Sequence, residues 1–181
     1  MTLENLINQK PYEKIKYTIR RHPVTFFPAI LLFFVLLAVP VGIYWLFVNS
    51  TLKILLENAA YFTMITLAAS AYFLSSILFF YTYFVAFYLD LWIVTNDRIL
   101  DMEQKTLFSR TISEVDLYQI QDATSEVKGI FPSIFNYGNI ILQTAGPVPK
   151  LIFKNVHKPH ELRQTILDLS AEDKKFHEQT P

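Results

Sequence analysis

Four histidines, His22, His157, His160 and His177, are the residues of this chain best able to ligate a metal or move a proton. His157 and His160 lie three apart, a spacing that can set two imidazoles on one helical face. Pro159 falls between them, and no glutamate completes a zincin pattern. No metal is expected there, and no cofactor. The chain has no cysteine, which excludes disulfides, thiolate metal sites and cysteine nucleophiles and fits a reducing compartment. There is no Gly-rich phosphate loop, no Ser/His/Asp order with an elbow and no acid pair in an evident pocket. Catalysis is therefore not expected.

The basic residues offer a different chemistry, contact with phosphate. Arg98, Lys105 and Arg110 are the candidates for a lipid or phosphate contact, and Lys14, Lys16, Arg20 and Arg21 form a basic group ahead of the first apolar run. A multivalent phosphate needs concentrated positive charge. Arg98 instead stands beside Asp97, with Asp101 and Glu103 next in line. Residues 90–181 hold ten Lys/Arg against thirteen Asp/Glu, and residues 1–89 hold six against three. The second half is net negative, which disfavours polyphosphoinositides and leaves only weaker contact through Lys105 and Arg110. Nucleic acid is not among the expected partners.

The elements that must carry these residues begin with two charge-free runs. Hydrophobic residues are 52% of the chain and charged ones 18%, against about 25% charged in ordinary soluble domains. Residues 24–48 and 59–89 contain no Asp, Glu, Lys or Arg. A helix needs about 20 residues to cross a hydrocarbon core, so the pair is read as a transmembrane hairpin over 23–89, with spans at about 24–48 and 61–87. Pro28, Pro40 and Gly42 are tolerated in lipid where neighbouring groups satisfy the freed carbonyls. Ala38-x-x-x-Gly42 and Ala71-x-x-x-Ser75 are spacings that let helices approach closely. The first run is too long for a signal peptide and a second span follows it. Five Lys/Arg precede it, whereas the 49–58 loop carries only Lys53 and Glu57. The positive-inside bias puts both termini in the cytoplasm of a multi-pass inner or plasma membrane protein. Tyr44, Trp45 and Tyr61 fit the outer interface, and Tyr88 and Trp92 the inner one. No ionisable residue lies in either span, which argues against a pump or transporter acting alone. Residues 1–22 read as a basic interfacial helix with Tyr12, Ile15 and Ile19 on one face, or as charges that only set topology.

From Tyr88 the pattern turns to short strands and turns. Leu89 to Thr95 alternates, Asn96-Asp97 signals a tight turn, and Arg98–Gln104 is a second strand. In it Leu100 and Met102 share one face, Asp101 and Glu103 the other. Residues 109–117, with Val115 and Leu117 inward, and 119–127 follow. A short helix or turn is expected over 129–137, a strand over 138–144 and its hairpin partner over 150–155. Pro159 opens a helix with Leu162, Ile166 and Leu169 on one face, and 171–181 reads as a charged tail. The domain is placed at 90–170, as an α+β arrangement of antiparallel strands with one end plugged by the helix.

The order of motifs resembles the bacterial pleckstrin-homology-like family, the YdbS-like membrane proteins. The stretch from Trp92 through Ile93, Val94, Thr95, Asn96, Asp97 and Arg98 to Ile99 resembles that family's opening strand and turn. Phe108-Ser109-Arg110, Ile120-Gln121-Asp122, the Phe135 to Gly138 stretch, the Ile140 to Gly146 stretch and the Val156 to Pro159 stretch resemble later elements in the same order. Arg20 to Pro23 and the two spans match its upstream arrangement. The resemblance implies a pleckstrin-homology-like barrel of two near-orthogonal sheets capped by a helix, and no common reaction. Structural roles are expected for Asn96-Asp97 (hairpin), Gly138 (bulge or close approach), Gly146 (turn) and Asp122 (loop brace). Function then reads as a membrane-anchored interaction or assembly module with a protein partner or self-association. The alternatives are a lipid-headgroup sensor and an accessory subunit of a transport or secretion complex.

Overall fold

A computed structural model describes residue 10 and residues 12–51, 53–146 and 148–179. The chain divides into two compact units, residues 26–85 and a discontinuous one made of the residues up to Thr25 and from Ala86 onward.

The first unit is helical. A 3-10 turn, Pro23–Phe26, leads into α1 (Phe27–Val48); α2 (Lys53–Glu57) and α3 (Ala59–Leu89) follow. Pro28 sits in the first turn of α1, where no amide hydrogen is needed. Asn49 ends that helix by donating its side-chain amide to the Trp45 carbonyl at 2.8 Å, and Asn58 caps α3 by accepting from Ala60 N–H at 3.0 Å. Hydroxyls inside α3 satisfy themselves on the preceding turn: Thr63 on Ala59, Thr66 on Phe62, Ser70 on Thr66, Ser75 on Ala71 and Thr82 on Leu78. That habit removes the cost of carrying Ser and Thr in an apolar helix. Both long helices are apolar and long enough to cross a membrane.

Aromatic rings hold α1 against α3. Phe33 stacks on Phe80 at 4.3 Å, and Phe26 meets Phe80, Tyr83 and Phe84 at 5.7–5.9 Å. Farther along, an apolar hollow of about 650 Å³ opens between Pro40, Ile43, Tyr44, Phe62, Ile65 and Tyr72. Gly42 has nothing within 4 Å of where a Cβ would stand, so among the described residues no helix packs closely on the glycine of the Ala38/Gly42 pair. At the margin of the hollow Pro40 lacks the amide hydrogen that would bond the Leu36 carbonyl one turn back. Tyr72 supplies the missing donor from α3, its hydroxyl 3.1 Å from Leu36 O. Tyr72→Phe is expected to lower hairpin stability by about 0.6–1.7 kcal/mol in an SDS titration. In a Pro40→Ala background, where the helix can bond that carbonyl itself, the loss should shrink; an equal loss in both backgrounds would refute this role for Tyr72.

The second unit is two antiparallel sheets and a helix. One sheet runs β1 (Ile15–Arg20), β2 (Leu91–Thr95), β3 (Arg98–Gln104), β4 (Arg110–Asp116); the other runs β5 (Ile120–Glu126), β6 (Tyr137–Thr144), β7 (Lys150–His157). Helix α4 (Ile130–Phe135) joins β5 to β6, and α5 (Pro159–Gln179) closes the chain. Trp92, Val94, Ile99, Leu142, Phe153 and Ile166 belong to the core these elements share. Leu91, Ile93, Leu100 and Met102, on the opposite face of β2 and β3, form a second buried cluster that Ile15 joins. The apolar stripe of α5 packs as its periodicity requires. Ile166 is fully buried, Leu162 and Leu169 partly so, and Ser170 Oγ donates to Leu117 O at 2.8 Å. At Gly138 any side chain would collide with the Glu126 carbonyl oxygen, and the β6–β7 register shifts between Gly138 and Ile140. Close approach and bulge both occur there.

Four readings of the sequence change. Residues 15–20 are a strand paired with β2, not part of an interfacial helix. Residues four apart share a face in both a strand and a helix, so Ile15 and Ile19 fit either. Of the rest of that expected helix, residues 10, 12–14, 21 and 22 are not helical, and residues 1–9 and 11 lie outside the described residues. The compact β unit consequently takes in residues ahead of the hairpin and does not begin at residue 90. The barrel is not closed. A 3-10 turn, Leu117–Gln119, separates β4 from β5, and among the described residues the strand pairing between the β1 and β7 edges is one isolated bridge, Arg21–Val156, just past the end of β1. Finally, the expected charged tail is helical as far as Gln179.

Candidate functional site

Strand register sorts the candidate residues between two ends of the β unit. At one end Ile15 opposes Thr95, and Arg98 opposes Asp116; at the other Arg20, Leu91, Met102 and Ile112 stand in one row across four strands. Lys14, Lys16 and Arg98 therefore lie at the first end, and Arg20, Arg21, Lys105 and Arg110 at the second. Six residues of strand, roughly 20 Å at about 3.3 Å each, separate Lys14 from Arg20. The expected basic group is divided, and so is the expected phosphate trio.

Arg98 is committed to carboxylates. Its Nε and Nη2 donate to the two carboxylate oxygens of Glu13 at 3.0 Å each, and its Nη1 to Glu114 at 2.6 Å. The Glu13 side chain is fully buried. Burial pushes that carboxyl up, but hydrogen bonds from Arg98, the Lys10 amide and Thr95 bring it below its ordinary value. Around it Lys10 pairs with Asp97 at 2.5 Å, and Asn96 accepts from Lys14 N–H at 2.5 Å. Asn96-Asp97 thus shapes its hairpin and also fastens the strand-leading segment to it.

The second end carries both points where the chain passes to and from the helical unit. Arg20 lies over the Tyr88 ring at 4.9 Å, and Arg21 pairs with Asp90. Asp90 also accepts the Gln104 amide at 2.6 Å. His22 stacks with Tyr137 (5.2 Å) and with His157 (5.4 Å), and its backbone amide donates to Asn155 O at 2.7 Å. Burial, then the facing His157, holds the His22 imidazole below its ordinary pKa. His160 turns elsewhere, to Ser125 Oγ at 2.8 Å. Among the described residues no group of His, Asp and Glu is arranged to hold a metal. Lys105 and Arg110 flank the β3–β4 loop, whose tip is Phe108, 98% exposed. Sequence reasoning passed over Phe108 as a surface feature, as it did the exposed apolar face of α4. Its signal was available: residues 129–136 hold no charge at all.

Beside this end runs a polar cleft of about 180 Å³ lined by Arg21, Asp90, Asp101, Glu103, Ser113 and Lys154, among others. Glu103 and Lys154 meet at 3.4 Å. Burial, then the Glu103 and Asp90 carboxylates, push the Asp101 carboxyl up from 3.8 to about 6. Between those values the folded chain holds a proton that the unfolded chain has released, so stability falls as pH rises from about 4 to 6. Asp101→Asn is expected to raise the unfolding midpoint at pH 7 and to flatten its dependence between pH 4 and 6. A variant less stable than the parent at pH 7 would show that the charged carboxylate helps the fold.

A family model described as the bacterial PH domain matches residues 23–170. No curated protein matches. Among solved structures, similarity extends to a DUF1696 family protein with a pleckstrin-homology domain from Shewanella loihica PV-4. It is 17% identical, with 45% of this chain and 70% of that one covered and a TM-score of 0.36.

Proposed function

The chain belongs to the bacterial PH domain family, and from that premise we propose a membrane-anchored interaction and assembly module, held on the cytoplasmic face by its hairpin and without catalysis. One observation carries this reading: β1 precedes the helical pair, β2 follows it, and the two strands are hydrogen-bonded neighbours. The hairpin is therefore an insertion between paired strands, and the β unit is tethered at two adjacent points. The apolar windows of the two long helices are 0% and 6% buried. Helices hydrophobic all round and left uncovered call for lipid or further helices as solvent. Charge placement opposes phosphoinositide sensing, since Arg98 is consumed by Glu13 and Glu114.

The test is the protein mass of the gently detergent-solubilised complex, by light scattering with the detergent contribution subtracted. A defined multiple of 21.1 kDa supports self-assembly. A monomer removes self-assembly and sends the search to a different protein partner. Reporter fusions that place the C-terminus outside the cytoplasm would end the topology proposed here.

A further inference from the structure

Helix α4 is six residues long and exposes four large apolar side chains: Ile130 (77%), Phe131 (67%), Ile134 (68%) and Phe135 (43%). A contiguous apolar surface of this kind marks a contact. Its place in the β unit says with what. Tyr137, two residues past the end of α4, stacks on His22, three residues before Thr25, where the chain leaves for the first long helix. The Lys158 amide, donating to Asn136 O at 2.9 Å, fixes the helix end at that spot. A second apolar tip, Phe108, lies beside the return point. Gln104 at the base of its loop bonds Asp90, the residue after the second long helix. Both tips carry basic neighbours: Lys128 before α4, exposed and paired with Glu126 at 2.8 Å, and Lys105 and Arg110 around Phe108. Aromatic and aliphatic side chains flanked by Lys and Arg are the chemistry of the lipid headgroup boundary.

We propose that α4 and the Phe108 loop dip into the lipid interface on the side of the membrane where the β unit lies, as two monotopic contacts beside the chain's two exits. The contacts would set the height and tilt of the β unit on the bilayer and decide which of its faces remain open to a partner. The inference rests on the membrane reading above, and the experiment separates the two.

The chain lacks cysteine, so single-cysteine variants of the full chain label uniquely. Phe108→Cys, Phe131→Cys and Ile134→Cys would carry an environment-sensitive fluorophore in nanodiscs of zwitterionic and anionic phospholipid. Leu67→Cys in α3 serves as the span control and Glu172→Cys on α5 as the aqueous control. The expected result is quenching by lipids doxyl-labelled near the headgroup several-fold stronger at 108, 131 and 134 than at 172, with iodide quenching reduced to match. Labels at these positions that behave like the one at 172, while 67 is quenched by lipid, would overturn the inference and leave the membrane reading standing. Labels shielded from both quenchers and cross-linking between copies would overturn it in favour of a protein occupant. A Leu67 label that lipid does not quench would end the membrane reading itself, and this inference with it.

Discussion

Arg98→Ala is expected to destabilise the β unit by about 3–5 kcal/mol, the usual consequence of stripping one partner from a buried ion pair. The loss arises at Glu13 and not at the vacated space. The Glu13 side chain is fully buried, and the Arg98 guanidinium bonds both of its carboxylate oxygens. Without the guanidinium the carboxylate keeps neutral donors such as the Lys10 amide and Thr95, which do not replace a positive charge out of water. Glu114 adds little to the loss, because its side chain is half exposed and water can solvate it. Urea unfolding of the full chain in detergent measures the effect. A Trp45→Phe background leaves Trp92, 3% exposed in the core, as the reporter. Two further results distinguish a fold-holding arginine from a ligand-binding one. Arg98→Met combined with Glu13→Leu should recover most of the loss, since no orphaned charge remains. The parent chain should lose stability as pH falls through the depressed Glu13 value, and the Arg98→Ala variant should lack that limb. Unchanged stability with weakened binding to anionic vesicles would instead return Arg98 to the role of a phosphate contact.

The pair also shows where sequence reading stops. Arg98 stands out in the sequence because it follows a turn and is basic, and both signals are local. Its partner is 85 positions away, across two long apolar helices, and no periodicity links them. Elements with local causes were legible. Asn96-Asp97 as a turn, Arg98–Gln104 as a strand and the α5 stripe at Leu162, Ile166 and Leu169 all stand as read, and the short helix or turn expected after Gly129 is a helix. The strand at 15–20 was not legible as one. Its apolar spacing satisfies both periods, and its partner strand begins 71 residues after it ends, at Leu91. The candidate surface divides the same way. The charge-free 129–136 stretch is plain in the sequence, but only the fold shows that its large apolar side chains stay outside and that Tyr137, just beyond it, stacks on His22.

Phe153→Ala should cost about as much as Arg98→Ala, roughly 3–5 kcal/mol for a large buried aromatic, and by an unrelated cause. Phe153 is fully buried on β7 and stacks on Trp92 of β2 at 5.2 Å. Among the described residues the two sheets are joined by one isolated backbone bridge and no continuous ladder. Their union therefore depends on side chains packed between them, and this stack is a direct joint from one sheet to the other. Truncation removes the ring's apolar contacts and leaves a cavity that β-strands fixed by their own hydrogen bonds cannot readily close. The same urea experiment reads it twice, as a lower midpoint and as a changed native emission of Trp92, which loses its neighbour. Phe108→Ala is the matched comparison. The ring is 98% exposed, so its removal should stay within about 0.5 kcal/mol. The chain has 16 phenylalanines, and composition alone does not separate a core ring from an exposed one. If Phe153→Ala were as mild as Phe108→Ala, the sheets would have to be held together by something other than this core, with α5, packed against β5 and β6, the next element to test.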